Sequence, residues 1–67
     1  MAWTQLRAFP AEKLHRIRGW EQRGLAYWQK RLRTCGERVA KADSSTQLGR
    51  ALNDREIALE AVNRLSA

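Results

Sequence analysis

Leu25, Trp28, Leu32, Cys35, Val39 and Ala42 follow one another at alternating steps of three and four. That spacing returns a side chain to the same side of an α-helix at each step, so it builds one continuous apolar face and is incompatible with the two-residue repeat of a strand. A helix with such a face needs another element to cover it. From Pro10 to Ala42 no second proline intervenes, and a proline in the first turn is well suited there because the N–H it lacks would have had no helical partner. The pattern predicts a helix over residues 10–42.

The segment Asp43-Ser44-Ser45-Thr46 ends it, because short polar side chains compete for backbone hydrogen bonds and favour turns. Ser44 followed three residues later by Gln47 has the spacing of a capping box, which satisfies backbone donors at a helix start. A second helix is therefore expected over residues 46–65, with the turn at 43–45. Leu48, Leu52, Leu59, Val62 and Leu65, with Ala51 and Ala58 beside them, form its apolar stripe, and Arg55 interrupts it. The arginine stem can lie on apolar neighbours while its head reaches water.

So short a connection makes the helices antiparallel neighbours, giving an all-α fold with an antiparallel helical hairpin. Residues 1–9, with Trp3, Leu6 and Phe9 three apart, are expected as an N-terminal segment or a short third helix. The intramolecular core is predicted at Leu25, Trp28, Leu32, Cys35, Val39, Leu48, Leu52, Leu59 and Val62. At the usual rise per residue the first helix would be about 50 Å long and the second about 30 Å. About a dozen N-terminal residues of the first helix, including Leu14, Ile17 and Trp20, would then overhang without cover. Either residues 1–9 fold back on them, or a second subunit or another protein supplies the cover. Gly19 and Gly24 each weaken this helix by about 1 kcal/mol relative to Ala, marking a kink or, at Gly24, a close helix contact.

A 67-residue chain forms one domain and buries only about 60% of the surface its unfolded form exposes, so oligomerisation or a partner is expected to complete it. With one cysteine there is no internal disulfide, and a lone thiol suits a reducing compartment such as the cytoplasm. No apolar run has the length of a signal peptide core or a membrane span.

Charge is divided unevenly. Residues 1–43 hold ten Lys and Arg against four acids, a net +6, while residues 44–67 hold three of each. One half is thereby suited to meeting a partner and the other to supporting it. On the polar side of the first helix, Arg16, Trp20, Arg23, Tyr27 and Arg31 succeed one another at helical spacing with Lys30 beside them. Aromatic residues and arginine are enriched at binding hot spots, so these six are the predicted contact face. The competing interpretation lays the rings against the Arg stems of their own helix as local cation-π contacts.

Three partner classes suit such a face. A protein partner, or self-association, accounts for both the missing cover and the aromatics, and is preferred: the chain is expected to be a small non-enzymatic adaptor or regulator. Nucleic acid comes second, with basic residues on phosphates and rings on unpaired bases, but no helix-turn-helix or zinc-ligand spacing supports it. A membrane surface comes third, because the second helix already occupies the apolar face that insertion requires. No cofactor, metal or catalytic residue is expected. His15 beside Glu12 is a common surface contact, Cys35 lies within the apolar face, and no glycine is followed by a phosphate-loop lysine.

Overall fold

The computed structural model describes residues 10–67, so the expectation for residues 1–9 lies outside the described part. Among the described residues three α-helices run in chain order: α1 (Pro10–His15), α2 (Gly24–Lys41) and α3 (Ser45–Ser66), with a 3-10 turn at Glu21–Arg23 before α2. The two long helices pack against each other as an antiparallel hairpin, and α1 packs on α3. The fold is all-α.

The hairpin turn follows the side chains at its centre. Ser44 is the N-cap of α3 in an extended conformation, and its hydroxyl accepts a hydrogen bond from the Gln47 amide at 3.1 Å. The Gln47 side chain reaches back to the amide of Asp43 at 3.3 Å, one residue earlier than a standard capping box would have it. Ala42, with ψ of 130°, takes the chain out of α2.

The long helix expected over residues 10–42 is broken between His15 and Gly24. Gly19 and Gly24 have φ of 77° and 82°, whereas a continuing α-helix needs φ near about −63°. Three-residue closures bridge the gap: the amides of Arg16, Ile17 and Trp20 donate to the carbonyls of Lys13, Leu14 and Ile17 at 3.3, 3.0 and 3.3 Å. A β-carbon at Gly24 would meet nothing within 4 Å, so its backbone angle, not a close helix contact, makes glycine the suitable residue there.

The break also removes the expected overhang. Turned back, α1 and the following turn place Leu14, fully buried, and Trp20, 8% exposed, in one cluster with Trp28, Ala58 and Ala61; Ile17 packs against it. The indole Nε1 of Trp28 donates to the Trp20 carbonyl at 2.8 Å, tying α2 to the turn, and Lys13 Nζ donates to Asn53 Oδ1, tying α1 to α3. Cover for Leu14 and Trp20 thus comes from α3 and α2 of the same chain.

The core of α3 differs from expectation too. Ala51, Ala58 and Ala61 are buried, whereas Leu48, Leu52 and Leu59, assigned above to the core, are 38%, 40% and 39% exposed. Size explains the exchange at one end of the hairpin: Leu14, Trp20 and Trp28 fill the space against Ala58 and Ala61, where only small side chains allow the helices to approach. On α2, Trp28 and Cys35 are buried as expected, while Leu25, Leu32 and Val39 are half-buried.

Candidate interaction surfaces

On α2 the buried positions Trp28 and Cys35 define the line facing α3, and on α3 Ala51, Ala58 and Ala61 face back. At about 100° per residue, the other side chains fall on two flanks of the hairpin. In an antiparallel pair the flank that follows the contact line in the same rotational sense on both helices is one shared surface. Leu25, Leu32 and Val39 of α2 and Leu48, Arg55, Leu59 and Val62 of α3 lie on one such flank, with Leu52 at its edge. Arg31 and Arg38 of α2 and Asp54 of α3 lie on the other, and the ion pairs between them confirm the geometry: Arg38 is 3.0 Å and Arg31 4.0 Å from the Asp54 carboxylate.

The first flank is apolar and uncovered among the described residues. Helix α1 sits on the opposite side of α3, at Asn53, and Ile17 and Ile57 line a cleft there with Asp54 and Arg31. Among the described residues nothing comparable covers Leu48, Leu52 and Leu59. Their exposed strip spans about 17 Å of α3 from Leu48 to Leu59, enough for about three turns of a docked helix. Its charged residues are Arg55 within the strip, and Arg33 and Glu56 on its outer edges, all exposed.

The second flank is basic. Arg23, Lys30, Arg38, Lys41 and Arg50 are exposed there, with Tyr27 at 38% exposure, against the carboxylates of Glu37 and Asp54. Between the C-terminal half of α2 and the first turns of α3 this flank forms an open groove of about 380 Å³, lined by Thr34, Glu37, Arg38, Lys41, Ala42, Gln47 and Arg50.

The six residues expected to form one contact face are divided. Tyr27, Lys30 and Arg31 lie on the basic flank of α2, and Arg23, in the 3-10 turn before it, reaches that flank through its bond to Tyr27, whereas Arg16 and Trp20 lie earlier in the broken segment, Arg16 exposed and Trp20 in the core. Trp20, 8% exposed, offers little surface to a partner, and its ring packs edge-on to His15, centroids 5.9 Å apart. Tyr27 is half-engaged by its neighbours in the chain. Arg23 Nη1 donates to the Tyr27 hydroxyl at 2.9 Å with its guanidinium carbon 5.2 Å from the ring centroid, and the ring meets Trp28 edge-on at 5.0 Å. For Tyr27 the local cation-π arrangement is the one adopted.

The uncovered leucines did leave a trace in the sequence. Two runs of three-four spacing lie side by side in α3, Leu48-Leu52-Arg55-Leu59-Val62 and Ala51-Asp54-Ala58-Ala61-Leu65, each with one charged residue. Two adjacent runs on one helix signal two contact surfaces, of which the hairpin partner takes one. Among the described residues no three His, Cys, Asp or Glu side chains converge as a metal set, and no helix is long and apolar enough to cross a membrane. No protein-family model, curated protein or solved structure matches the chain.

Proposed function

We propose that this chain is a small non-enzymatic interaction protein that binds an acidic amphipathic helix of a partner protein along the uncovered apolar flank of α2 and α3. The observation that carries this reading is the exposure of Leu48, Leu52 and Leu59 at 38%, 40% and 39% in a strip continuous with half-buried Leu25, Leu32 and Val39. Fully burying a leucine contributes about 1.5 to 3 kcal/mol, so covering the remaining two fifths of three such residues contributes about 2 to 4 kcal/mol. Docking a helix apolar face down onto an apolar surface is a recurring recognition mode.

Charge selects the partner. The chain carries a net +6, and two exposed arginines against one glutamate mark the strip and its edges. A second copy would bring another +6 and place Arg55 near its own counterpart, which costs Coulomb energy, whereas an acidic helix gains it and is steered to the site. The contact face thus moves from the basic aromatic side of the first helix to the apolar flank, with Arg33 and Arg55 supplying charge.

The test uses a labelled helical peptide of about 18 residues with leucines at heptad spacing and glutamates elsewhere, beside a scrambled peptide of equal composition. The ordered peptide is expected to bind, and Leu52→Gln with Leu59→Gln to abolish binding while helical content is kept. Should that double variant lose its fold, Arg55→Glu, an exposed change within the strip, is expected to weaken binding on a folded chain. Equal binding of the scrambled peptide would refute the helix-docking reading. So would a dimer in solution that the leucine substitutions dissolve, since the strip would then belong to a second copy.

A further inference from the structure

The geometry points to the groove between the end of α2 and the start of α3 as a binding site for phosphate groups, held by Lys41, Arg50 and Arg38 with Thr34 and Gln47 as neutral hydrogen-bonding neighbours. It lies on the basic flank, across the hairpin from the leucine strip, and is independent of the helix-docking reading.

Three cations from two different helices line one concavity of about 380 Å³, and Glu37 is the carboxylate among the lining residues. Convergence from two elements distinguishes this from a row of lysines along a solvated helix, where neighbours diverge. Of the three, Arg38 is engaged by Asp54 at 3.0 Å, one turn deeper along α3. Among the described residues Lys41 and Arg50 have no carboxylate within salt-bridge distance, so their charge is available to a ligand. The fixed pairing with Asp54 holds the Arg38 stem in place, while the two unpaired cations supply the uncompensated field.

Helix ends do not decide the matter here. The C-terminus of α2 carries partial negative charge and the N-terminus of α3 partial positive charge, and at the same end of an antiparallel pair they largely cancel. The side chains set the sign. Thr34 and Gln47 offer hydroxyl and amide donors to phosphate oxygens, although the Thr34 hydroxyl donates to the Lys30 carbonyl at 3.1 Å and the Gln47 side chain accepts from Asp43 without a ligand. Hard oxyanions of high charge density suit arginine forks and lysine ammonium groups better than a carboxylate does, because more oxygens can be met at once. Phosphates in sequence, as in a polynucleotide backbone or a polyphosphate chain, would engage Lys41 and Arg50 together.

Two probes separate these sources: a labelled ten-nucleotide oligothymidylate and inorganic tripolyphosphate, each titrated at several salt concentrations. Lys41→Gln with Arg50→Gln removes the two unpaired cations at exposed helical positions, and Arg18→Gln with Arg64→Gln removes the same charge from exposed positions outside the groove. Oligothymidylate binding is expected to fall about tenfold or more in the first variant, and the slope of log affinity against log salt to flatten by about 1.4, the amount for two single-strand phosphate contacts. The second variant is expected to bind like the parent. The same pattern with tripolyphosphate alone would assign the site to free polyphosphate. Equal losses in both variants, or binding of neither probe by the parent, would overturn the site, and circular dichroism of both variants confirms that the helices remain.

Discussion

Gly24→Ala and Gly36→Ala are the same chemical change with opposite expected outcomes, and the structure supplies the sign of each. At both positions a β-carbon meets nothing within 4 Å, so steric contact with neighbours plays no part. Gly36 lies inside α2 with ordinary helical backbone, where alanine is favoured over glycine by about 0.8 to 1 kcal/mol. Gly24 has φ of 82° and ψ of 163°, a region occupied essentially by glycine alone, where another residue costs about 1 to 3 kcal/mol. The two variants should differ by about 2 to 4 kcal/mol, a large part of the ~3 to 10 kcal/mol expected for a domain of this size. In thermal melts followed by circular dichroism, each kcal/mol moves the midpoint of so small a domain by about 4 to 8 °C. Gly36→Ala should therefore melt about 4 to 8 °C above the parent, and Gly24→Ala at least about 4 °C below it. If Gly24→Ala stabilised the protein as Gly36→Ala does, the backbone at residue 24 would be helical in solution. The break between α1 and α2, and the burial of Leu14 and Trp20 that depends on it, would then be refuted.

Trp28→Phe removes the indole donor from the Trp20 carbonyl and leaves a void in the core; a loss of about 2 to 4 kcal/mol is expected in urea unfolding, and a loss below about 0.5 kcal/mol would show that the 2.8 Å bond is not formed. Ser44→Ala deletes the N-cap of α3 and should cost about 1 kcal/mol by the same measurement, with Ser44→Asn close to neutral. Cys35 is a free, fully buried thiol, so its reaction with an aromatic disulfide reagent should be slow in the native protein and accelerate in parallel with unfolding as urea is raised; rapid labelling without denaturant would contradict its position.

The hairpin was legible in the residue order for a simple reason. A three-four repeat from Leu25 to Ala42, an Asp-Ser-Ser-Thr segment with Gln47 at capping distance, and a second apolar helix admit few arrangements other than two antiparallel neighbours. Burial of Trp28 and Cys35 followed directly. The basic flank was legible in part, because Tyr27, Lys30 and Arg31 lie on one helix whose own periodicity places them together, whereas Arg23 precedes that helix, beyond the break at Gly24. Arg50 could not be joined to Arg38 and Lys41 in that way, since their shared groove exists only once α3 is docked.

Two decisions belonged to tertiary structure. An isolated glycine weakens a helix by about 1 kcal/mol, too little to say from the local sequence whether the helix bends, ends or continues. At Gly19 and Gly24 the balance is tipped by what lies elsewhere in the chain: breaking there lets Leu14 and Trp20 bury against α2 and α3, and each large apolar side chain so buried contributes about 1.5 to 3 kcal/mol. Likewise, α3 carries two parallel stripes, and hydrophobicity favours the leucines for the inside. At Ala58 and Ala61 the small side chains prevail because Leu14, Trp20 and Trp28 already fill the interface there, and close packing depends on the sum of facing volumes, not on either helix alone. Periodicity is a property of one segment and can be read along it; the volume match between segments is a property of pairs, and it turned Leu48, Leu52 and Leu59 outward.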